Sequence, residues 1–452
     1  MIILPNTPPL PYHISNNING LSIDLLNIRS SLYSLNLSNY NESINFVLNL
    51  ELYLQHIIKF KDTNNIDLSN IIIGDSIPWS NLIYKSNEKK FNKLKSLKKT
   101  SDKDDNIDVK GWSLFNELQM VLISLSLTYI RIGSEITNSI ICKEIEEQDI
   151  IKSYDNSWKL IMNYYKKSIS LMLYGQQLEE NSNCENFIIQ NLNFTLIQKI
   201  GDISIQLTIL SKYCWYNRVE FKLNEKLLLE KNTILFAKVA IYIINELKTV
   251  KNVISNMINE SSDNVNLNTN GWINYLSIVE KYANAYGGFF LSIQFYKENK
   301  IGNSIGLVQY SLLNLQSKKM DLKANNNNNN NNNLLNKFKS KFNDKRNEHI
   351  LSKLDSISTL NIDKSIFKEK SEIILNDVFN LFDILIKLNL KFTKENNTLH
   401  FDNVIHYNEV NNDSKWPIGC KIPITSIKPF DPNNTNDDDE QLDLYSGKGA
   451  YY

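Results

Sequence analysis

The sequence predicts a mainly α protein, and three observations carry that prediction. Only 14 Gly and 9 Pro are spread over 452 residues, too few for the many tight turns of a sandwich or barrel. Apolar residues recur at three- and four-residue intervals through several stretches of more than fifteen residues. No β-type alternation of comparable length interrupts them between residues 112 and 316. A hydrophobic share of 42% supplies a substantial core.

The elements follow in chain order. Residues 1–20 read as an extended lead, with Pro at 5, 8, 9 and 11. From Asp24 to Lys61 the spacing is helical, through Leu25, Leu32 and Leu35 and then Phe46, Leu50 and Leu54, with Asn-rich breaks between the pieces. Lys85 to Lys103 holds eight lysines, closed by Asp104 and Asp105; it reads as a solvated insertion loop or a patch for anionic lipid. A helix from Trp112 to about Gly133 carries Leu114, Leu118, Val121, Leu122, Leu125 and Tyr129 on one stripe. A second, from about Ser157 to Gly175, aligns Trp158, Ile161, Tyr165, Ile169 and Met172. Phe187 to Trp215 is apolar on most sides, as befits a helix at the centre of a bundle. Lys231 to about Ile258 follows, with Leu235, Val239, Ile243 and Leu247.

Trp272–Asn299 and Ile301–Gln316 form a pair similar to a single tetratricopeptide repeat. Ala283, Gly287, Gly302 and Gly306 would allow close approach, and Tyr296 would fill the space between. Asn325–Asn333 is homopolymeric and cannot bury apolar surface, so it reads as a loop. Helical segments at Leu334–Leu354 and Glu372–Leu390 come next. After Asn397, Pro417, Pro423, Pro429 and Pro432 favour an extended course, and Asn433–Tyr452 is an acidic tail.

Composition removes several function classes. Lys+Arg and Asp+Glu are both 49, so the basic excess of a nucleic-acid binder is absent. Cys142, Cys184, Cys214 and Cys420 are widely spaced, which suits reduced cytosolic thiols. The first residues lack a basic n-region, and the apolar stretch Leu118–Ile130 stops at Arg131, short of a bilayer span. Membrane contact is therefore expected to be peripheral. No phosphate-binding loop or nucleophile elbow occurs, and Ser446-Gly-Lys-Gly lies in the tail. The histidines 13, 56, 349, 400 and 406 have no metal-ligand spacing, and Cys214 sits beside Trp215 in an apolar helix. Neither catalysis, a cofactor nor a metal is expected. The better signal is for interaction: Leu235, Lys238 and Val239 fall within about one turn, after a helix that offers Leu207. Leucines so spaced usually form core; the alternative is a groove that receives a partner's amphipathic helix.

Several stretches, in order over roughly residues 5–430, resemble the BRO domain, the boomerang-shaped helical domain of Alix-like ESCRT adaptors. They are Ile77-Pro-Trp-Ser, Ser113-Leu-Phe-Asn-Glu-Leu-Gln-Met, Trp158-Lys-Leu-Ile-Met-Asn-Tyr-Tyr and Phe236-Ala-Lys-Val-Ala, then the pair from Tyr282 to Gln316. Leu399-His-Phe-Asp-Asn-Val-Ile-His-Tyr and Trp416-Pro-Ile-Gly-Cys-Lys-Ile-Pro-Ile resemble the strap that closes the family's domain on its own surface. The resemblance implies a BRO domain over 1–432, with insertions near 85–106 and 324–333 and a short tail over 433–452. With no V-shaped or Pro-rich region and no prenylation box, the chain is most similar to the fungal palC type, which acts in the ambient-pH response.

This resemblance implies a non-enzymatic cytoplasmic adaptor, recruited peripherally to an endosomal or plasma membrane. Its implied partner is the C-terminal amphipathic helix of the main ESCRT-III filament subunit, with a calpain-like protease complex of the pH pathway as a further partner. Carried over by position, the groove would be Leu235, Lys238 and Val239, with Leu207 on the preceding helix. The alternative within the family is an endosomal or vacuolar sorting adaptor.

Overall fold

The structure is a computed structural model that describes residues 1–14, 21–32, 40–64, 66–84, 108–143, 153–180, 189–224, 232–259, 265–315, 372–406, 409 and 416–432. The basic segment Lys85–Lys103, the Asn tract, the helical segment Leu334–Leu354 and the acidic tail lie outside the described residues. Nine helices are described: α1 (Ile23–Leu32), α2 (Tyr40–Asn64), α3 (Leu114–Ile141), α4 (Asp155–Glu180), α5 (Asn191–Asn224), α6 (Thr233–Asn259), α7 (Trp272–Lys297), α8 (Ile301–Leu315) and α9 (Glu372–Glu395). The fold is mainly α, and each long helix packs on its neighbour in sequence from α3 through α8, with α9 returning against α8.

Four short strands complete it: β1 (Ile72–Ser76), β2 (Leu82–Tyr84), β3 (Asp108–Ser113) and β4 (Val265–Leu267). β1 pairs antiparallel with β3 (Ile72 opposite Ser113), and β2 pairs antiparallel with β4 (Leu82 opposite Leu267). At three to six residues they are too short to leave a periodic signal. The β2–β4 pair nonetheless ties the front of the chain to the α6–α7 connection.

The amphipathic stripes explain which face each helix buries. On α4, Trp158, Ile161, Tyr165, Ile169 and Met172 are all buried, as their spacing predicts. α3 is buried on nearly every side. It is long and apolar enough to cross a membrane, but most of it is packed inside the protein. Ser113 caps it, its side chain accepting from the Asn116 N–H at 3.2 Å.

Two findings depart from the sequence reading. The lead is core: Met1, Ile2 and Leu4 are buried, the Ile3 N–H donates to Tyr275 Oη (3.1 Å), and Trp272 Nε1 donates to the Pro5 carbonyl (2.9 Å). The glycines also serve a different neighbour. Gly288 gives α7 its close approach to Ser311 and Leu307 of α8, whereas Gly302 and Gly306 leave room for the carbonyls of Asn403 and Ile405. Tyr296 stacks on Phe392 of α9 (4.5 Å between ring centroids), so it packs outside the α7–α8 pair.

One buried ion pair fastens the front of the chain to α3. Glu117 accepts from Arg29 Nε (2.5 Å), Trp79 Nε1 (2.7 Å) and Trp112 Nε1 (3.0 Å). Arg29 also donates from its two terminal nitrogens to the Tyr12 and Pro78 carbonyls, both at 3.0 Å. With both charges out of water, losing one partner strands the other. Arg29→Met is expected to destabilise the fold by about 3–5 kcal/mol, read as a lowered urea midpoint at unchanged slope.

Candidate functional site

The described residues 401–406 and 416–432 run extended over the helices and cross them in reverse order as a strap. Over α8 it passes Gly302 and Gly306. Over α7, the Trp416 ring lies against Gly287 and edge-on to Tyr310 (5.6 Å between centroids). Over α6, Gly419 fits against the Tyr242 backbone and the Cys420 N–H donates to the Lys238 carbonyl (3.1 Å). Over α5, Gln206 holds both backbone groups of Ile422, donating to its carbonyl (3.1 Å) and accepting from its N–H (2.9 Å). Over α4, Lys166 Nζ donates to Thr425 Oγ1, Ser170 Oγ to the Lys428 carbonyl, and the Phe430 N–H to the Ser170 carbonyl.

These contacts identify the strap-facing side of each helix, and helical spacing extends it. On α4 that side runs Lys159, Met162, Lys166 and Ser170; on α5, Asp202, Gln206, Ile209, Tyr213 and Tyr216; on α6, Leu235, Lys238 and Tyr242. The strap divides this face into two unlike strips. On one side, Gln198, Lys199, Asp202 and Glu246 are polar, with Lys199 Nζ 2.6 Å from Glu246. Burial raises the Asp202 carboxyl, opposed by the charges of Lys421 and Lys199. On the other side, half-buried Met162, Tyr213, Tyr216 and Leu235 lie among half-buried Lys159, Lys212 and Lys238.

Aromatic packing builds the second strip from below. Tyr213 stacks on Phe236 (3.9 Å), which stacks on Phe290 (5.4 Å). Trp215 meets Trp158 (5.8 Å) and Tyr216 (5.4 Å) edge-on. Lys212 Nζ lies over Trp158 (5.7 Å) and Tyr216 (5.4 Å), with Asp155 at 3.9 Å. Its pKa falls to about 8, chiefly through burial and also through Lys159, with Asp155 opposing. Asp155 also accepts from Tyr216 Oη (2.8 Å), and burial raises that phenol. The indole N–H groups of Trp158 and Trp215 are buried without an acceptor. The strip therefore offers apolar contact and three lysines.

The four residues nominated from the sequence separate here. Leu235 and Lys238 lie on the strip, next to the strap. Leu207 and Val239 have no exposed surface, so they are core and no partner can touch them. Leu207 follows Gln206 by a single residue and is thereby turned some 100° away from the strap. Sequence reasoning missed Met162, Lys212, Tyr213 and Tyr216. The available signal was the Tyr213–Tyr216 stretch in the second half of α5, where aromatic side chains three residues apart share a face. Among the described residues no group of three or more His, Cys, Asp or Glu is placed to hold a metal, and Cys142, Cys214 and Cys420 are not in disulfides.

Residues 112–452 match a family described as of unknown function, DUF5355. No curated protein matches the sequence. Among solved structures, one described as the basis for endosomal targeting by the Bro1 domain is 14% identical, over 90% of this chain and 80% of that one, with a TM-score of 0.44. The BRO1 domain of ALIX with CHMP4C is 11% identical, over 95% and 96%, with a TM-score of 0.49. ALIX in complex with the SIVmac239 late-domain peptide PYKEVTEDL is 12% identical, over 92% of this chain and 44% of that one, with a TM-score of 0.50. The likeness shows the fold, which is of the mainly α BRO1 type.

The setting of Lys212 has a measurable consequence. Its folded pKa lies below its ordinary value of 10.5, so from about pH 8 upward the unfolded chain holds a proton that the folded one lacks. Folding stability should therefore gain from this group as pH rises from about 8 to about 10. Lys212→Met should flatten that rise in urea titrations across this window.

Proposed function

We propose that this chain, which belongs to the DUF5355 family of unknown function, is a non-enzymatic adaptor that holds an amphipathic helix of an ESCRT-III subunit. The observation that carries this reading is the strip beside the strap. Met162, Tyr213, Tyr216 and Leu235 form an apolar track across α4, α5 and α6, with Lys159, Lys212 and Lys238 along it. A helix with apolar residues at three- and four-residue spacing would cover the track, and its acidic side chains would meet the lysines. The sequence resemblance to Alix-like adaptors names the C-terminal helix of the main ESCRT-III filament subunit as the occupant. Absence of any catalytic motif in the sequence supports the non-enzymatic reading.

The finer reading is a cytoplasmic component of the fungal ambient-pH pathway, of the palC type, drawn peripherally to an endosomal or plasma membrane, with a calpain-like protease complex among its further partners. Sequence resemblance supports it. A sorting adaptor of the endosome or vacuole would use the same strip. The full-length domain span from 1 to 432 belongs to the same proposal.

Titration calorimetry of the purified chain with the isolated ESCRT-III helix tests the groove. Saturable binding is expected. Leu235→Asp with Lys238→Glu should weaken it by about 2 kcal/mol or more, as for a hot spot, at unchanged helicity. Both positions are half-buried and outside the core, and an unchanged circular dichroism spectrum is the expected check that the fold is kept. Binding that is absent, or indifferent to the double change, contradicts the reading.

A further inference from the structure

The loop that joins α9 to the strap is tied down by hydrogen bonds, yet it holds two large apolar side chains in solvent. Asn396–His400 forms a single π-helical turn, and the Phe401 N–H closes it on the Asn396 carbonyl (2.8 Å). Asn396 then clamps Asp402, its Nδ2 donating to the Asp402 carbonyl (3.0 Å) and its Oδ1 accepting from the Asp402 N–H (2.9 Å). Asp402 Oδ2 accepts in turn from the Ile301 and Gly302 N–H groups at the start of α8 (3.0 and 3.3 Å). Between these fixed points Leu399 is 71% exposed and Phe401 74% exposed, and Val404 follows at 45%. Phe401 has φ 59°, a left-handed conformation that an aromatic residue rarely adopts. An unfavourable backbone thus presents an unburied ring, a cost without return inside the isolated chain.

The charges around the tip are asymmetric in what they leave available. Glu298 is paired with Lys300 (2.7 Å), Asp402 is turned onto the α8 N–H groups, and Glu395 is hydrogen-bonded to Tyr296. Lys394, one turn before Leu399, is exposed, and Lys391 is half-exposed along the Tyr296 ring (5.4 Å). These three acids are engaged with the protein, Glu409 further along the strap is exposed, and Lys391 and Lys394 lie beside the apolar tip.

We propose that Leu399 and Phe401 form a wedge that inserts into the headgroup region of an anionic bilayer, with Lys391 and Lys394 against the lipid phosphates. A protruding tip suits a deformable surface, and apolar residues beside lysines have the complementarity that anionic lipid selects. The inference shares only the membrane with the adaptor reading. The tip lies on the α8–α9 end of the strap, away from the α4–α6 strip.

The test uses the full chain and two sets of vesicles, one of phosphatidylcholine alone and one with about 30% phosphatidylserine. Co-sedimentation with the anionic vesicles is expected, falling at least about fivefold for Leu399→Ser with Phe401→Asn and for Lys391→Glu with Lys394→Glu. Asn accepts the left-handed backbone, so the first variant should melt no lower than the parent. Its titration with the ESCRT-III helix should be unchanged, which separates failure of the wedge from failure of the groove. Absence of binding to anionic vesicles, or equal binding by the variants, overturns the proposal. So does self-association in sedimentation equilibrium that the first variant abolishes, because the tip would then meet a second copy.

Discussion

The Gln206 side chain grips both backbone groups of Ile422, and the course of the whole strap depends on that grip. An extended segment laid on helices cannot pair its backbone along a ladder, and every buried N–H or C=O must find another partner. The strap meets this demand at a few points only. The Lys238 carbonyl, the Gln206 amide and the Ser170 hydroxyl and carbonyl each satisfy one or two of its groups. Between them it can approach only where a Cβ is missing. A side chain at Gly302, Gly306, Gly287 or Gly419 would overlap the chain it faces. Close approach and sparse hydrogen bonding together set the line along which the strap crosses α8, α7, α6, α5 and α4.

That line decides what the rest of the surface can do. Tied across successive helices, the strap limits how far they slide past one another. It also splits the face of α4–α6 into a polar strip and an aromatic, lysine-bordered one. The front of the molecule is fixed by a separate device, in which Glu117 gathers Arg29 and two indoles from different segments around the start of α3. The same physics recurs between α7 and α9, where Tyr282 and Tyr286 both donate to the buried Asp377 carboxylate. Buried carboxylates each surrounded by aromatic donors thus join parts of the chain distant in sequence, which local helical propensity cannot do.

The helices were legible because burial on one face imposes its period directly. Trp158, Ile161, Tyr165, Ile169 and Met172 name both the helix and its inner side. What periodicity cannot supply is a neighbour's identity. Gly302 and Gly306 looked like contacts between paired helices because the sequence does not show that a strap from residue 401 onward returns over them. Leu207 and Val239 looked equivalent to Leu235 because all are apolar on amphipathic helices. Only the strap's position shows that Leu235 and Lys238 face outward while Val239, one residue on, is in the core. The four strands and the burial of Met1, Ile2 and Leu4 left no readable pattern, being short and fixed by distant partners.

On the proposed reading, a partner helix lies on the aromatic side of the strap. A peptide of the ESCRT-III helix carrying a photoreactive benzophenone tests this most directly, with the cross-linked residues read by mass spectrometry on the full chain. Cross-links at Met162, Tyr213, Tyr216 and Leu235 are the predicted result. Cross-links confined to Gln198, Lys199, Tyr242 and Glu246, on the polar side of the strap, would contradict it.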